Sequence, residues 1–224
     1  MVKQSSRRRA SFVFFLAALL SVGLVSQPAF AKKKRASTVQ LTGIKSFDKI
    51  FKKARTTDKK LKSAEKNLRE SKKALRQTLK LSKKSTYVQG LKELKKRANG
   101  KLRVAMVGGV PSLKASEAVP SEIQASIDAI NTLTKSMPST IRDLKSMARS
   151  STQMYNQSRN FPTNIQRELR SKGLDGLWAL VVKAPKITKK TYRNLKVIGG
   201  MPKRATKVNT ELAQISASLV KTFK

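Results

Sequence analysis

Clusters of lysine and arginine are the residues in this chain whose type and spacing could do chemistry, and that chemistry is the binding of anions. Doublets and triplets of cations recur through the first half of the sequence. Ammonium and guanidinium groups bind phosphates and carboxylates by charge and hydrogen bonding. The predicted polyanion-binding residues are Lys32, Lys33, Lys34, Arg35, Lys52, Lys53, Lys59, Lys60, Lys72, Lys73, Lys83, Lys84, Lys95, Lys96 and Arg97.

The overall charge balance indicates the same class of partner. The 224 residues include 50 Lys and Arg but 12 Asp and Glu, which gives a formal net charge of +38. Segment 32–103 has 26 basic and 5 acidic residues, segment 104–182 is nearly balanced, and segment 183–224 is basic again. In a helix, cations at this density lie about 4 Å apart along the axis, inside the ~8 Å Debye length. They repel each other until a polyanion neutralises them.

The residue types that most catalytic and metal sites need are missing. The chain has no His and no Cys, which excludes imidazole bases and thiolate nucleophiles and removes the usual ligands of tetrahedral zinc. Two Ser-x-x-Lys pairs, at 46–49 and 63–66, are expected by chance in a chain so rich in both residues. We therefore predict a protein that is not an enzyme and has no cofactor or metal. Local helical ion pairs are expected at Asp48, Asp58, Glu65, Glu70 and Glu93.

Residues 1–31 have the pattern of a secretory signal peptide. A basic start precedes the apolar run 12–25, and residues 29–31 supply a small-x-small cleavage site. The apolar run spans about 21 Å as a helix, which is shorter than the ~30 Å hydrocarbon core of a bilayer. We predict cleavage after Ala31 and export to the bacterial periplasm or the medium. Retention of the leader as a membrane anchor is the alternative.

Hydrophobic periodicity predicts that the first half of the exported chain is helical. Residues 32–45 have no period and are predicted to form a flexible basic arm. Over 46–84, apolar or small residues recur at alternating spacings of three and four. This pattern predicts one long coiled-coil-like helix with Ser46 as its N-cap. With a second helix expected at 87–97, residues 46–103 form a Lys-rich helical segment.

Prolines divide the remaining residues, 104–224. Proline is favoured in the first turn of a helix and disfavoured inside one. An apolar helical period follows most of these prolines, so each is predicted to begin a helix: Pro120, Pro138, Pro162, Pro185 and Pro202. The predicted fold is all-α, an elongated helical bundle in which one long basic helix is followed by shorter helices that begin at prolines.

Two features are open to more than one interpretation. The short apolar run 102–107 fits a strand, a helix end or a buried connector. Fragments 107–111 and 198–202 both contain an apolar residue, two glycines and a proline. An internal duplication explains this likeness, and so does shared helix-ending chemistry.

The aromatic residues narrow the choice of polyanion. Phe47 and Phe51 fall on or beside the apolar row, which leaves Tyr87 as the free stacking platform for a nucleic-acid base. Anionic lipid, lipopolysaccharide or cell-wall polymer is therefore favoured over nucleic acid. Segment 174–182 either contacts a membrane peripherally, with Trp178 at the interface, or forms a buried helix, and the buried helix is favoured.

The predicted function is that of an exported, non-enzymatic helical protein that binds or structures a polyanionic envelope surface through its basic N-terminal helix. A periplasmic holdase chaperone is the first alternative, because basic helical arms are similar in general character to those of the Skp type. Extracellular nucleic-acid binding is the second alternative. The oligomeric state is left open.

Overall fold

The computed structural model describes residues 39–173 and 179–224, and these residues are mostly helical. The helical class predicted from the sequence is confirmed. The predicted signal peptide 1–31 with its cleavage site after Ala31, the cations 32–35 and Trp178 lie outside the described residues. In chain order, the elements are α1 (Lys45–Thr78), α2 (Tyr87–Arg97), β1 (Leu102–Val107), β2 (Val110–Ala115), α3 (Ser121–Ser158), α4 (Phe161–Arg170), a π-helical turn (Ala179–Lys183) and α5 (Ala184–Phe223).

The three long helices α1, α3 and α5 each pack against the other two. Their buried residues recur at helical spacing, because each helix has one apolar face. On α1 this face contains a row spaced by seven residues: Phe47, Ala54, Leu61, Leu68 and Leu75. Phe161, the first residue of α4, stacks on Phe47 with 4.0 Å between the ring centroids. The core therefore lies among the long helices, and α4 is joined to it by aromatic packing.

Helix α1 ends earlier than predicted, at Thr78. Lys80 adopts a positive φ of 51°, which a continuing helix does not allow. Thr86 then begins α2 with a capping box, in which its hydroxyl accepts from the Gln89 N–H and the Gln89 side chain accepts from the Thr86 N–H. The prediction of one helix over 46–84 is wrong at its C-terminal end for this reason.

The beginning of α1 also differs from the prediction. The helix begins one residue before Ser46, the predicted N-cap, and the Ser46 hydroxyl donates to Glu168 at 2.9 Å. The Asp48 carboxylate accepts hydrogen bonds from the N–H groups of Thr42 and Gly43 at 2.7 and 2.9 Å. Asp48 thus fixes the entry of the chain into α1.

Residues 39–44 are packed, although the sequence analysis assigned them to a flexible arm. Val39 and Ile44 are buried. The buried Asn194 side chain on α5 pairs with the backbone of Gln40, accepting from its N–H at 2.8 Å and donating to its carbonyl at 2.6 Å. The prediction of a flexible arm is corrected for 39–44, because the Asn194 amide satisfies both backbone groups of Gln40.

Three of the five prolines lie at helix starts as predicted, and two do not. Pro120 is the N-cap of α3, and Pro162 and Pro185 lie in the first turns of α4 and α5. Pro138 and Pro202 lie inside α3 and α5 instead. An interior proline costs about 3 kcal/mol, but in both cases the preceding residue is buried. Tertiary packing therefore maintains two long helices where four shorter ones were predicted.

The apolar run 102–107 is a strand, so the described chain is not entirely α-helical. β1 and β2 form an antiparallel hairpin. Gly108 and Gly109 connect them with φ values of 58° and 77°, which is the geometry of a type I′ turn and is natural for glycine. The predicted boundary between the Lys-rich segment 46–103 and the segment 104–224 falls inside β1. Fragments 107–111 and 198–202 are similar in sequence but differ in structure, because the first contains this hairpin turn and the second lies within α5.

Candidate polyanion-binding surface

Five lysines form one row along the face of α1 opposite its buried row. They occur at every seventh position and all are exposed: Lys45, Lys52, Lys59, Lys66 and Lys73. We call them the lysine row. Seven helical residues rise about 10.5 Å, so the row extends over about 42 Å. Among the described residues only Lys66 in this row has an acidic partner, Glu70 at 3.6 Å.

The structure brings five predicted site residues together on α1. Lys52, Lys59 and Lys73 belong to the lysine row, and Lys53 and Lys60 lie beside it, one position further along the chain. Sequence reasoning missed Lys45 and Lys66 because it selected adjacent cations. The seven-residue spacing, which matches that of the buried row, was the signal that could have found them.

The other predicted residues on the described chain lie elsewhere or serve the fold. Lys72 is half-buried and pairs with Glu211 on α5 at 2.6 Å. Lys83 and Lys84 are exposed in the loop between α1 and α2. The last turn of α2 carries three exposed cations, where positive charge also stabilises the helix dipole: Lys95, Lys96 and Arg97.

A cleft of about 480 Å³ lies between α1 and α3 and opens beside Lys53 and Lys60. The hydroxyl groups of Thr56 and Thr57 line it but donate to carbonyls of their own helix, at 3.2 and 3.1 Å. Donors for a ligand are supplied by the two ammonium groups and by two amides of α3, Gln153 and Gln157. This donor set suits an anionic oxygen, and the cleft adjoins the lysine row.

The carboxylates on the inner side of α1 are used within the fold. Arg204 of α5 donates to both oxygens of Glu65 and to Asp58, each at 2.8 Å. Asp58 is fully buried, and its second oxygen lies 2.6 Å from Lys62 Nζ. The hydrogen bonds to Glu65 and then to Asp58 raise the pKa of Arg204 above its ordinary value, so the guanidinium stays charged.

The predicted local ion pairs are therefore correct for some acids and wrong for others. Glu70 pairs with Lys66 and Glu93 with Arg97 within one helix turn, as expected. The hydrogen bond from Arg97 lowers the pKa of Glu93 below its ordinary value. Asp58 also pairs within its helix, with Lys62, and in addition with Arg204 of α5. Glu65 pairs with Arg204. Both acids join α1 to α5 because they lie on or beside the buried face of α1.

The aromatic residues that could stack on a base differ from the one predicted. Tyr87, predicted to be free, is buried, and this burial raises the pKa of its hydroxyl. Tyr155 and Tyr192 are exposed by 41% and 59%. With Arg159 and Lys196 they line a second cleft, of about 790 Å³, between α3 and α5.

A glycine shapes this second cleft. A Cβ atom on Gly199 would lie 3.2 Å from Cε2 of Tyr155, so the absence of a side chain lets the ring lie against the α5 backbone. Thr152 and Leu195 complete the lining. The cleft thus combines aromatic faces with positive charge, the pairing that single-stranded nucleic-acid sites use. We call it the tyrosine cleft.

Comparison of the chain with protein-family models, curated proteins and solved structures finds no match. Over 39–173 and 179–224, no group of three or more acidic side chains could hold a metal ion. No helix in the same part of the chain is long and apolar enough to cross a bilayer.

Proposed function

We propose that this protein is a non-enzymatic binder of polyanionic surfaces in the cell envelope, and that the lysine row of α1 is its principal contact. The observation that carries the proposal is a set of five exposed lysines over about 42 Å, of which one has an acidic partner among the described residues. Anionic lipid, lipopolysaccharide and cell-wall polymers all present many anions, which could contact several lysines of such a row at once.

Electrostatics supports binding over mere solubility. Neighbouring lysines in the row lie about 10.5 Å apart, beyond the ~8 Å Debye length at physiological salt. Lys53 and Lys60 are adjacent to Lys52 and Lys59, which brings cations within that length, where they repel each other. A polyanion laid along α1 relieves this repulsion and releases its own counterions. Affinity should therefore fall steeply as salt is added.

Export and the helical arrangement belong to the same proposal. We infer export to the periplasm or medium from the pattern of residues 1–31, with cleavage after Ala31. We also infer that α1, α3 and α5 form a helical bundle, which their pairwise packing supports. In that arrangement the face of α1 opposite the core stays free for a partner.

Vesicle binding tests the proposal. The mature protein should co-sediment with vesicles that contain phosphatidylglycerol and be released by added salt, and it should ignore pure phosphatidylcholine. The triple variant Lys52→Gln, Lys59→Gln and Lys73→Gln should bind at least about tenfold more weakly, because each phosphate contact contributes to the salt-dependent free energy.

A matched control removes the same charge from another helix. Lys186, Lys203 and Lys207 are exposed on α5, and their change to Gln should weaken binding by about threefold or less. Equal losses in the two triple variants would mean that net charge, rather than the lysine row, governs binding.

The tyrosine cleft favours a second function, the binding of single-stranded nucleic acid. A base stacked on a protein aromatic contributes about 1–3 kcal/mol of binding free energy. Arg159 and Lys196 line the same cleft and could bind the phosphates next to a stacked base. A gel shift with an oligothymidylate should weaken about fivefold or more on Tyr192→Ala, while binding of polyphosphate stays the same. Equal loss for both ligands would contradict base stacking.

The holdase hypothesis stays a prediction. It requires the mature protein to suppress the aggregation of unfolded outer-membrane proteins, and it is contradicted if the protein has no effect at equimolar concentration.

A further inference from the structure

The hairpin β1–β2 presents apolar side chains at its tip. Met106 is 62% exposed and Val107 54% exposed, and they rank among the most exposed large apolar residues of the described chain. Val107 lies opposite Val110 in the last pair before the turn. Exposed apolar side chains gathered at one place mark contact surfaces more often than isolated ones do.

Two cations lie behind this tip, on the face of the hairpin that carries Val107, whereas Met106 lies on the other face. Arg103 and Lys114 lie directly opposite each other in the strand register, and both are exposed. Side chains alternate along a strand, so Arg103 and Lys114 share a face with Val107 and Val110. Like charges directly opposite each other destabilise a sheet. Neither cation has an acidic partner within the described residues, so an external anion would relieve their repulsion.

The exposed tip is held in place by the rest of the fold. The other face of the hairpin buries Leu102, Pro111 and Leu113. The Asn131 side chain on α3 accepts from the Leu113 N–H at 2.8 Å and donates to the Leu113 carbonyl at 2.9 Å. The apolar tip is thus presented by a hairpin anchored to α3.

We propose that the tip of this hairpin inserts into the headgroup region of an anionic lipid membrane, with Arg103 and Lys114 binding lipid phosphates. This inference rests on the proposed function and selects anionic lipid as the polyanion. The pair Arg103 and Lys114 lies four residues behind the tip pair, about 13 Å along the strands. Long cationic side chains cover part of that distance, and amphipathic elements insert by about 5–10 Å.

A soluble polyanion offers less to this surface than a membrane does. Phosphate and carboxylate groups can neutralise Arg103 and Lys114, but they do not remove Met106 and Val107 from water. The interface of an anionic bilayer both neutralises the cations and removes the apolar side chains from water. The lysine row, in contrast, carries charge alone and suits any polyanion.

The first experiment compares Val107→Asp with Val88→Asp in the full mature protein. Val88 is an exposed valine of α2, 38% accessible, so the two variants add the same charge at different places. Against phosphatidylglycerol vesicles, Val107→Asp should weaken binding about tenfold or more, because burial of a valine side chain is lost and a carboxylate faces the lipid phosphates. Val88→Asp should weaken it about twofold at most. Met106→Ser, which adds no charge, should also weaken binding measurably.

A second measurement locates the tip directly. A single tryptophan at position 107, introduced as Val107→Trp in a Trp178→Phe background, should shift its emission to the blue on anionic vesicles and be quenched by brominated lipid. Emission unchanged by vesicles that the protein demonstrably binds would overturn the inference.

The outcomes separate this inference from the proposed function. If the protein binds polyphosphate and vesicles but Val107→Asp and Val88→Asp behave alike, the hairpin proposal is wrong and the polyanion proposal stands. If Val107→Asp weakens polyphosphate binding as much as vesicle binding, the tip does not insert and the hairpin proposal is again wrong. If the wild-type protein binds neither ligand, the proposed function itself fails.

Discussion

The two sides of α1 use charge in opposite ways. On the inner side, Arg204 of α5 donates hydrogen bonds to Glu65 and to one oxygen of Asp58, whose carboxylate is fully buried. On the outer side, the lysine row is exposed and has one acidic partner among the described residues, Glu70. Two of the four carboxylates of α1 are thus committed to joining α1 with α5.

The positions of the carboxylates explain why the outer side of α1 carries an excess of positive charge. A helix can neutralise its own lysines with carboxylates three or four positions away, but Asp58 and Glu65 lie on the inner side of α1, where they pair with Arg204 of α5 and, for Asp58, with Lys62. The cluster joins α1 to α5, and the lysine row keeps one acidic partner among the described residues.

The largest effect is expected from Arg204→Met, which breaks the inner cluster. Removing one partner of a buried ion pair costs about 3–5 kcal/mol. Lys62 remains 2.6 Å from Asp58, and Arg204 is one-third exposed, so we expect the free energy of unfolding to fall by about 2–3 kcal/mol. Urea denaturation measures it, and Lys66→Met, which breaks an exposed pair, should cost less than about 1 kcal/mol.

A double variant gives the control for this prediction. Asp58→Leu combined with Arg204→Met removes the stranded charge and should recover part of the lost stability. If the double variant is less stable than Arg204→Met, the buried carboxylate is not the source of the cost.

The adjacent residues Lys72 and Lys73 separate the inner charge of α1 from the outer charge, with a smaller expected loss of stability than for Arg204→Met. Lys72→Met breaks the half-buried pair with Glu211 and should cost about 0.5–1 kcal/mol of stability. Lys73→Met should leave stability unchanged but weaken vesicle binding, because Lys73 belongs to the lysine row. If Lys72→Met weakens binding as much as Lys73→Met does, the division between inner and outer charge is wrong.

The smallest effect concerns Glu93, an acid that pairs within its own helix. The hydrogen bond from Arg97 lowers the pKa of Glu93 from its ordinary 4.5. A lowered pKa in the folded state means that the pair stabilises the protein above pH 4.5 and that this contribution is lost as the pH falls through the lowered value. A carbon-13 NMR titration should give a midpoint below 4.5, and Arg97→Met should raise it. Identical midpoints in the two proteins would contradict the assignment.

The helical fold was predictable because hydrophobic periodicity is a local signal. Phe47, Leu61 and Leu68 mark the buried face of α1 without any tertiary information. The ends of α1 and the continuity of α3 and α5 were not predictable from local rules. Pro138 and Pro202 oppose a helix locally, and packing against neighbouring helices overrides them. A strand was one of three interpretations of 102–107, because an apolar run of six residues does not distinguish a strand from a helix end. The second strand, β2, was not predicted.

The candidate site was predictable in part for a similar reason. Clusters of cations identify a charged helix, but adjacent lysines point in different directions. Lys72 therefore pairs with Glu211 of α5 whereas Lys73 is exposed, and the local sequence does not distinguish the two. The pairing of Arg204 with Asp58 joins residues 146 positions apart, and no local pattern contains that information. The exposure of Tyr155 and Tyr192, and the burial of Tyr87, likewise depend on tertiary packing.

The salt dependence of polyanion binding distinguishes the lysine row from the other exposed lysines of the chain. The logarithm of the binding constant for polyphosphate should fall linearly with the logarithm of salt concentration. Changing Lys52, Lys59 and Lys73 together to Gln should make that slope shallower by about 2–3, since each lost contact contributes about 0.7–0.9. The same change at Lys186, Lys203 and Lys207 should alter the slope by less than about 1. An unchanged slope in the lysine-row variant, or equal changes of slope in the two triple variants, would contradict the proposal that the lysine row is the principal contact.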